Sequence, residues 1–241
     1  MITVLFVTLF GCLALTVPIA VSIAISTLAV FAIYYPGTPM VNMLTQAMVT
    51  TSDSFPLMAV PFFMLVGSLM DRTGIAKRLV DVSEALTGSM PGGLGMAAVV
   101  SGMIFAAISG SGPAVVAAVG AILVPAMVKQ GYDPGYAGGI VASAATIGPV
   151  IPPSIPMIVY GVTVGVSVTR LFTAGFLPGI LMGIMLMIAN YFICKKKGYS
   201  GLKTEGGSKK IAKTLWDAKW ALLMPIIVLG GIYGGFFTPT E

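Results

Sequence analysis

Two short stretches hold most of the residues that could do chemistry in this chain. The first is Ser109, Gly110, Ser111, Gly112 and Pro113, two hydroxyls spaced by glycines and closed by a proline. The second is TIGPVIPPSIPM, residues 146–157, with Thr146, Gly148, Pro149, Pro152, Pro153, Ser154 and Pro156. Neither stretch carries an acid or a base, so what they offer is neutral oxygen and loosened backbone. A proline has no N–H and clashes with the carbonyl four residues back. Pro152 therefore frees the carbonyl of Gly148, Pro153 that of Pro149, and Pro156 that of Pro152. Such oxygens suit sodium or potassium, and the helix ends around them can present N–H groups to an anion. Covalent chemistry has no support. The chain contains no histidine, so Ser109 and Ser111 lack a base and the usual metal ligands are missing. Asp133 has no second aspartate in an apolar tract with which to form a catalytic pair. The pattern argues against an enzyme and points to binding and passage.

The elements that must position these residues belong in lipid. Hydrophobic residues make up 57% of the 241, charged residues 9%, and the mean hydropathy is +1.00. A soluble domain needs about a quarter charged residues to cover its surface. At roughly 20 residues per span, the length allows on the order of seven or eight embedded segments. The net charge of +5 is no sign of nucleic acid, because eight of the thirteen basic residues are lysines within 195–219, a topology signal. Cys12 and Cys194 lie in apolar stretches and read as small core residues. The opening MITVLFVTLFGCLALTVPIA lacks a basic start, so no removable signal peptide is expected.

Residues 1–34 are uncharged and would span about 50 Å as a helix, so they predict either one long helix kinked at Pro18 or two short ones. Residues 35–53, with Pro36, Gly37 and Pro39, read as a loop or surface segment, and 55–70 as a short span ended by Asp71 and Arg72. The segment 74–88 places Ile75, Leu79, Val82 and Leu86 on one helical face and Lys77, Arg78, Asp81 and Glu84 elsewhere, predicting a helix in the interface plane. A second such helix is expected over 209–220, where Trp216 and Trp220 anchor the span that follows. Residues 171–194 and 221–237 read as ordinary spans. The ending in TPTE resembles an interruption, so the chain is expected to be part of a longer protein.

The tract 92–128 would measure about 55 Å as one helix and must bend, at residues 109–113. Its arms, 17 residues (92–108) and 15 (114–128), are each shorter than a full span of ~20. They predict a re-entrant hairpin that enters and leaves on one side; the plain alternative is an external turn between two short spans. The tract 134–169 is broken at 146–154, where the alternative is a proline kink healed by neighbouring helices. Asp133-Pro134 reads as an N-cap with proline at the first helical position. The positive-inside rule puts the lysine-rich loop and Asp133 in the cytoplasm, and Arg72, Lys77, Arg78 and Lys129 join them if the hairpin returns to its own side. The embedded tracts contain no carboxylate for a proton relay, so sodium is the expected coupling ion, and half-helix N-termini could hold an anion in place of a buried arginine. The fold class is all-α: a polytopic transmembrane helical protein with a re-entrant hairpin and a proline-broken helix.

Four stretches, PGGLGMAAVVSGMIFAAISGSGPAVVAAVGAILVPAM, KQGYDPGYAGGIVASAATIGPVIPPSIPMIVYGV, LFTAGFLPGILMG and GGIYGGFFTPTE, resemble the large, DctM-type membrane subunit of tripartite ATP-independent periplasmic (TRAP) transporters. The resemblance implies a multi-pass permease subunit of the bacterial inner membrane, driven by a sodium gradient. Its partners would be a small four-helix membrane subunit of DctQ type and a periplasmic substrate-binding protein of DctP type. The substrates would be organic anions such as C4-dicarboxylates and sialic acids. It further implies an elevator built from inverted repeats. Residues 1–90 would then be scaffold-type helices plus the interfacial arm at 74–88. Residues 91–170 would be a transport-type unit, with hairpin 91–129 and broken helix 134–169, and 171–241 would be further spans with a cytoplasmic loop at 195–219. Ser109 to Pro113 would form the hairpin tip and Thr146 to Ser154 the break, framing a sodium site and half a substrate site. The second repeat would lie beyond residue 241, so this segment alone is not expected to transport. The rival readings are a passive channel with the hairpin as filter and a scaffold whose broken helices only pack.

Overall fold

The computed structural model describes residues 1–36, 39–199, 201, 207–236 and 238. The expected turn at Gly37, the lysine-loop residues 200 and 202–206, and the closing residues 237 and 239–241 lie outside the described residues. All described elements are helices, and the chain divides into two units, Met1–Ser54 and Phe55–Glu241.

In the first unit, α1 (Ile2–Ala14) and α2 (Ile19–Tyr34) are separate helices, so Pro18 ends one and opens the next. The residue before a proline avoids the helical region, and Pro18 itself, at ψ 140°, stands as the N-cap of α2. The Tyr35 hydroxyl lies 3.8 Å from the Met1 sulfur, so the two helices fold back antiparallel. The buried stripe of α2 is Ser22, Ser26 and Val30. Both serines return their hydroxyls to backbone carbonyls, Ser22 to Pro18 at 3.2 Å and Ser26 to Ile23 at 2.9 Å, and such small residues let two backbones approach in lipid. Of the loop or surface segment expected over 35–53, the loop is corrected: α3 occupies Met40–Ser52. The turn-forming residues Pro36, Gly37 and Pro39 all precede it, and MVNMLTQAMVTTS contains neither glycine nor proline to stop a helix.

In the second unit a 3-10 turn, Phe55–Met58, leads into α4 (Ala59–Arg72), followed by α5 (Ile75–Thr87), α6 (Gly93–Ser109), α7 (Gly112–Lys129), α8 (Pro134–Ala145), α9 (Ile155–Val164), α10 (Val168–Lys197), α11 (Gly207–Asp217) and α12 (Lys219–Tyr233). Fourteen of the seventeen residues of α6 are buried, which makes it the axis about which α5, α7, α8 and α10 pack. α7 and α10 are each long and apolar enough to cross a membrane, and so is the α11–α12 pair, which bends by 62°. A chain with several such helices is a polytopic membrane protein.

Two helices differ in detail from expectation. α5 forms where predicted but buries Ala76, Leu79, Val80, Val82 and Ser83, while Leu86 stays 46% exposed. Its covered face is set by α6 and α7 rather than by hydropathy alone. The helix expected over 209–220 stops at Asp217, and Trp220 belongs to α12. The guanidinium of Arg78 donates to the Asp217 carbonyl at 3.3 Å, the oxygen that a continuous helix would give to the amide of Ala221.

Candidate functional site

The hairpin tip is built from two residues. Gly110 closes α6 through its amide to the Ala106 carbonyl at 2.9 Å and turns left-handed, with φ 61°. That conformation is easy only for glycine. Ser111 is extended, with φ −133° and ψ 117°, and α7 starts at once, with Pro113 in its first turn. The Ser111 amide reaches back to the Ser109 hydroxyl at 3.4 Å.

The break between α8 and α9 tightens first and then stretches. Amides of Thr146, Ile147 and Gly148 bond three residues back, at 3.2, 3.2 and 3.0 Å, as the last turn of α8 winds up. The chain passes through a cis Pro152–Pro153 peptide to Ser154, the extended N-cap of α9. The Ser154 hydroxyl accepts from the Met157 amide at 3.3 Å and donates to the Pro149 carbonyl at 2.7 Å. That second bond corrects the expected run of free carbonyls, because the Pro149 oxygen is taken. Among the described residues no amide donates to Gly148 or Pro152 oxygen.

The tip sits in the break. The Ile155 amide donates to the Gly110 carbonyl at 3.3 Å. A Cβ at Gly110 would lie 2.6 Å from the Pro153 oxygen, one at Gly112 would lie 2.8 Å from the Ala145 oxygen, and one at Gly148 would lie 3.0 Å from the Gly112 nitrogen. Three glycines thus permit backbone to meet backbone without side chains between. Ser109, Gly110, Gly112, Gly148, Pro152, Pro153 and Ser154 are buried at this junction, and Ser111 and Pro149 are half-buried. Pro113 and Thr146 are exposed, and the Thr146 hydroxyl bonds to the Ser143 carbonyl at 2.7 Å instead of facing the tip.

Four helix ends converge here: the C-termini of α6 and α8 with their partial negative charge, and the N-termini of α7 and α9 with their positive one. No charged side chain lies in either stretch, so backbone dipoles set the field. The α9 amides are already engaged, Ile155 by Gly110 and Met157 by Ser154, and Pro156 has none. Among the described residues, the amides of Gly112 and Ala114 on α7 have no protein acceptor, so α7 is the helix with donors to give.

The depth of the junction can be measured along α10, about 45 Å long at 1.5 Å per residue. Near its lysine-bearing end, a Cβ at Gly92 would lie 2.6 Å from the Cys194 sulfur and 2.9 Å from Asn190 Nδ2. Further along, Gly183 meets Met103, whose Cε would be 2.7 Å away, and Gly179 meets Ile151, with its Cα at 3.4 Å. The tip region is therefore level with Gly179, about 27 Å from Lys197 and about 12 Å inside the Leu171 end of the apolar run. Both feet of the hairpin stand at the lysine-bearing end. The Gly92 amide donates to the Tyr199 carbonyl at 3.1 Å and the Asp133 amide to the Tyr199 hydroxyl at 3.0 Å. Asn190 holds the same corner, donating to the Gly92 carbonyl at 3.0 Å and accepting from the Tyr136 hydroxyl at 2.8 Å. In the loop between α7 and α8, burial pushes the Tyr132 hydroxyl up to about 12, and its ring stacks on that of Tyr199 with centroids 4.3 Å apart.

Beside the tip, a cavity of about 270 Å³ opens between α4, α6 and α7, with Ser68, Ser109 and Ser111 as its hydroxyls and Phe63 and Phe105 among its apolar walls. Gly67 allows the contact, since a Cβ there would lie 3.2 Å from that of Ser109. The sequence reading passed over Gly67 and Ser68; the available signal was two small residues together inside the bulky run FFMLVGSLM.

A helical hairpin whose tip meets the break of a discontinuous helix, inside an all-helical chain, defines the class: a polytopic membrane protein with half-helices meeting in its interior. Within that class the family is settled by comparison. The family described as "Tripartite ATP-independent periplasmic transporter, DctM component" matches residues 6–241, and the chain belongs to it. It is 45% identical over 237 residues to the isethionate TRAP transporter permease protein DctMQ of Oleidesulfovibrio alaskensis, covering 97% of this chain and 37% of that protein. Similarity to the C4-dicarboxylate TRAP transporter large permease protein DctM of Vibrio cholerae is 40% over 240 residues, covering 100% of this chain and 52% of that one. The sialic acid TRAP transporter permease protein SiaT of Haemophilus influenzae is 40% identical over 225 residues, with coverage of 93% and 36%. The relatives are named as permeases, not enzymes, and the chain spans about half of their length or less.

Proposed function

We propose that this chain supplies one transport-type unit of the large permease subunit of a TRAP transporter. The complete protein takes up a small organic anion across the bacterial inner membrane, coupled to sodium. It works with a small DctQ-type membrane subunit and a periplasmic DctP-type binding protein. The observation that carries this reading is the seating of the Gly110-Ser111 tip in the α8–α9 break, level with Gly179 on α10. Irregular backbone at that depth is tolerated only inside protein or along a wet cavity, and the tip lies buried against the α8–α9 break, beside the cavity that holds Ser68, Ser109 and Ser111.

On this reading the residues divide by charge. Carbonyls at the ends of α6 and α8, with those of Gly148 and Pro152, serve a sodium ion, while the Gly112 and Ala114 amides and the cavity serines serve the anion. The hairpin 91–129 and broken helix 134–169 form the moving part, with 1–90 as scaffold and arm. The three relatives' names mention isethionate, C4-dicarboxylate and sialic acid, which share an anionic group and little else, so an anion is the supported substrate class. Within that class the proposed substrate is a C4-dicarboxylate or a related acidic metabolite.

The test is uptake of labelled organic anions by the complete protein with both partners in sealed vesicles. An inward sodium gradient is expected to drive accumulation that stops when potassium replaces sodium and when the binding protein is left out. Gradient-independent conductance without the binding protein would support a channel instead.

A further inference from the structure

We propose that the bend between α11 and α12 is a docking surface for anionic phospholipid headgroups. Lys219 is the cation that meets the phosphate, and Trp216 and Trp220 are seated at headgroup depth. The inference needs only a membrane-spanning chain and does not depend on what the protein transports.

The bend has two faces. Ile211 and Thr214 are half-buried and Ala218 is 1% exposed, so this side of α11 rests on protein, with α5 as its neighbour. The other side carries Lys213, Leu215 and Trp216, and α12 adds Trp220. Trp216 is 69% exposed and Trp220 is 70% exposed. Two indoles left so open have no reason to face water, but the membrane–water boundary suits a large apolar ring with one N–H. The 62° bend supplies that boundary, because the lysine-bearing α11 ends there and the apolar α12 begins.

Charge decides which headgroup fits. Residues 209–219 hold four lysines against one aspartate. Lys219 Nζ lies 3.8 Å from the Trp216 ring centroid and 5.5 Å from that of Trp220, so two aromatic faces hold the ammonium in place. Among the described residues, neither Lys213 nor Lys219 is paired with a carboxylate. The Asp217 backbone is fixed from the other side by Arg78, next to Lys77 on α5. A positioned, unpaired cation between two interfacial indoles complements a lipid phosphate, and the surplus positive charge favours lipids with net negative charge over zwitterionic ones.

These two tryptophans are the only ones in the 241 residues, and both lie at the bend. The complete protein, carrying tryptophan only at these positions, would be reconstituted in vesicles of phosphatidylcholine and phosphatidylglycerol at four to one. Bromine would be placed on one lipid at a time, and the fluorescence lost would be compared per mole of brominated lipid. Brominated phosphatidylglycerol is expected to quench roughly fivefold more strongly, the enrichment that one basic residue near the surface produces. The Lys213→Gln/Lys219→Gln double variant is expected to lose that preference, and Lys219→Arg to keep it. Equal quenching by both lipids would overturn the proposal. So would no quenching by either, which would mean that protein covers the bend, and so would a preference that survives the double variant.

Discussion

Gly110 illustrates how much a single atom decides at the junction. An alanine there must hold φ near 61° and place its Cβ 2.6 Å from the Pro153 oxygen, so Gly110→Ala is expected to cost about 1–3 kcal/mol. Gly139→Ala, in the interior of α8 with nothing within 4 Å of an added Cβ, is expected to be neutral or to stabilise by up to about 1 kcal/mol. Ser154→Ala removes both the cap of α9 and the donor to Pro149, a loss of about 1–2 kcal/mol. Thermal unfolding of the three purified variants in one detergent would check the order; a Gly110→Ala protein that melts with wild type would refute the close approach. The prolines told which carbonyls were released, but nothing in their spacing told that Ser154 would recapture one. The partner of a freed oxygen is a matter of how the chain folds back.

At the scale of elements, helix starts were the most legible feature. Asp133 caps α8 as its sequence predicted, its Oδ1 accepting from the Tyr136 amide at 2.8 Å, because capping is local. Faces were less legible. α5 buries Ala76 and Ser83 and leaves Leu86 out, since close packing on α6 rewards small residues that a hydropathy pattern ignores. The run 40–52 was missed because the turn residues before it were extended into it. The alignment of α6 beside α10 is open to a direct check. With the native cysteines replaced, a cysteine pair at Met103 and Gly183 is expected to oxidise readily, because a Cβ at 183 would lie 3.3 Å from the Met103 Cγ. A pair at Met103 and Ile193 lies ten residues along α10, about 15 Å away, and should not. A gel-mobility shift reads both, and cross-linking at 193 in place of 183 would move the tip to a different depth.

At the scale of the molecule, composition was enough for the class and four short stretches were enough for the family, since both depend on residue type alone. That the tip and the break meet was legible only through the family resemblance, because Gly110 and Ile155 are far apart in the chain and are joined only by the fold. That seating is the centre of the account, and one measurement tests it most directly. A single cysteine at Ser111, in the otherwise cysteine-free complete protein with its partners in sealed vesicles, would be probed from each side by a membrane-impermeant thiol reagent, with and without sodium. Labelling that changes side, or that sodium blocks, is the predicted result for a buried tip at a moving ion site. Sodium-independent labelling, only from the face opposite the lysine-bearing end, would make residues 109–113 an external turn and would contradict the account.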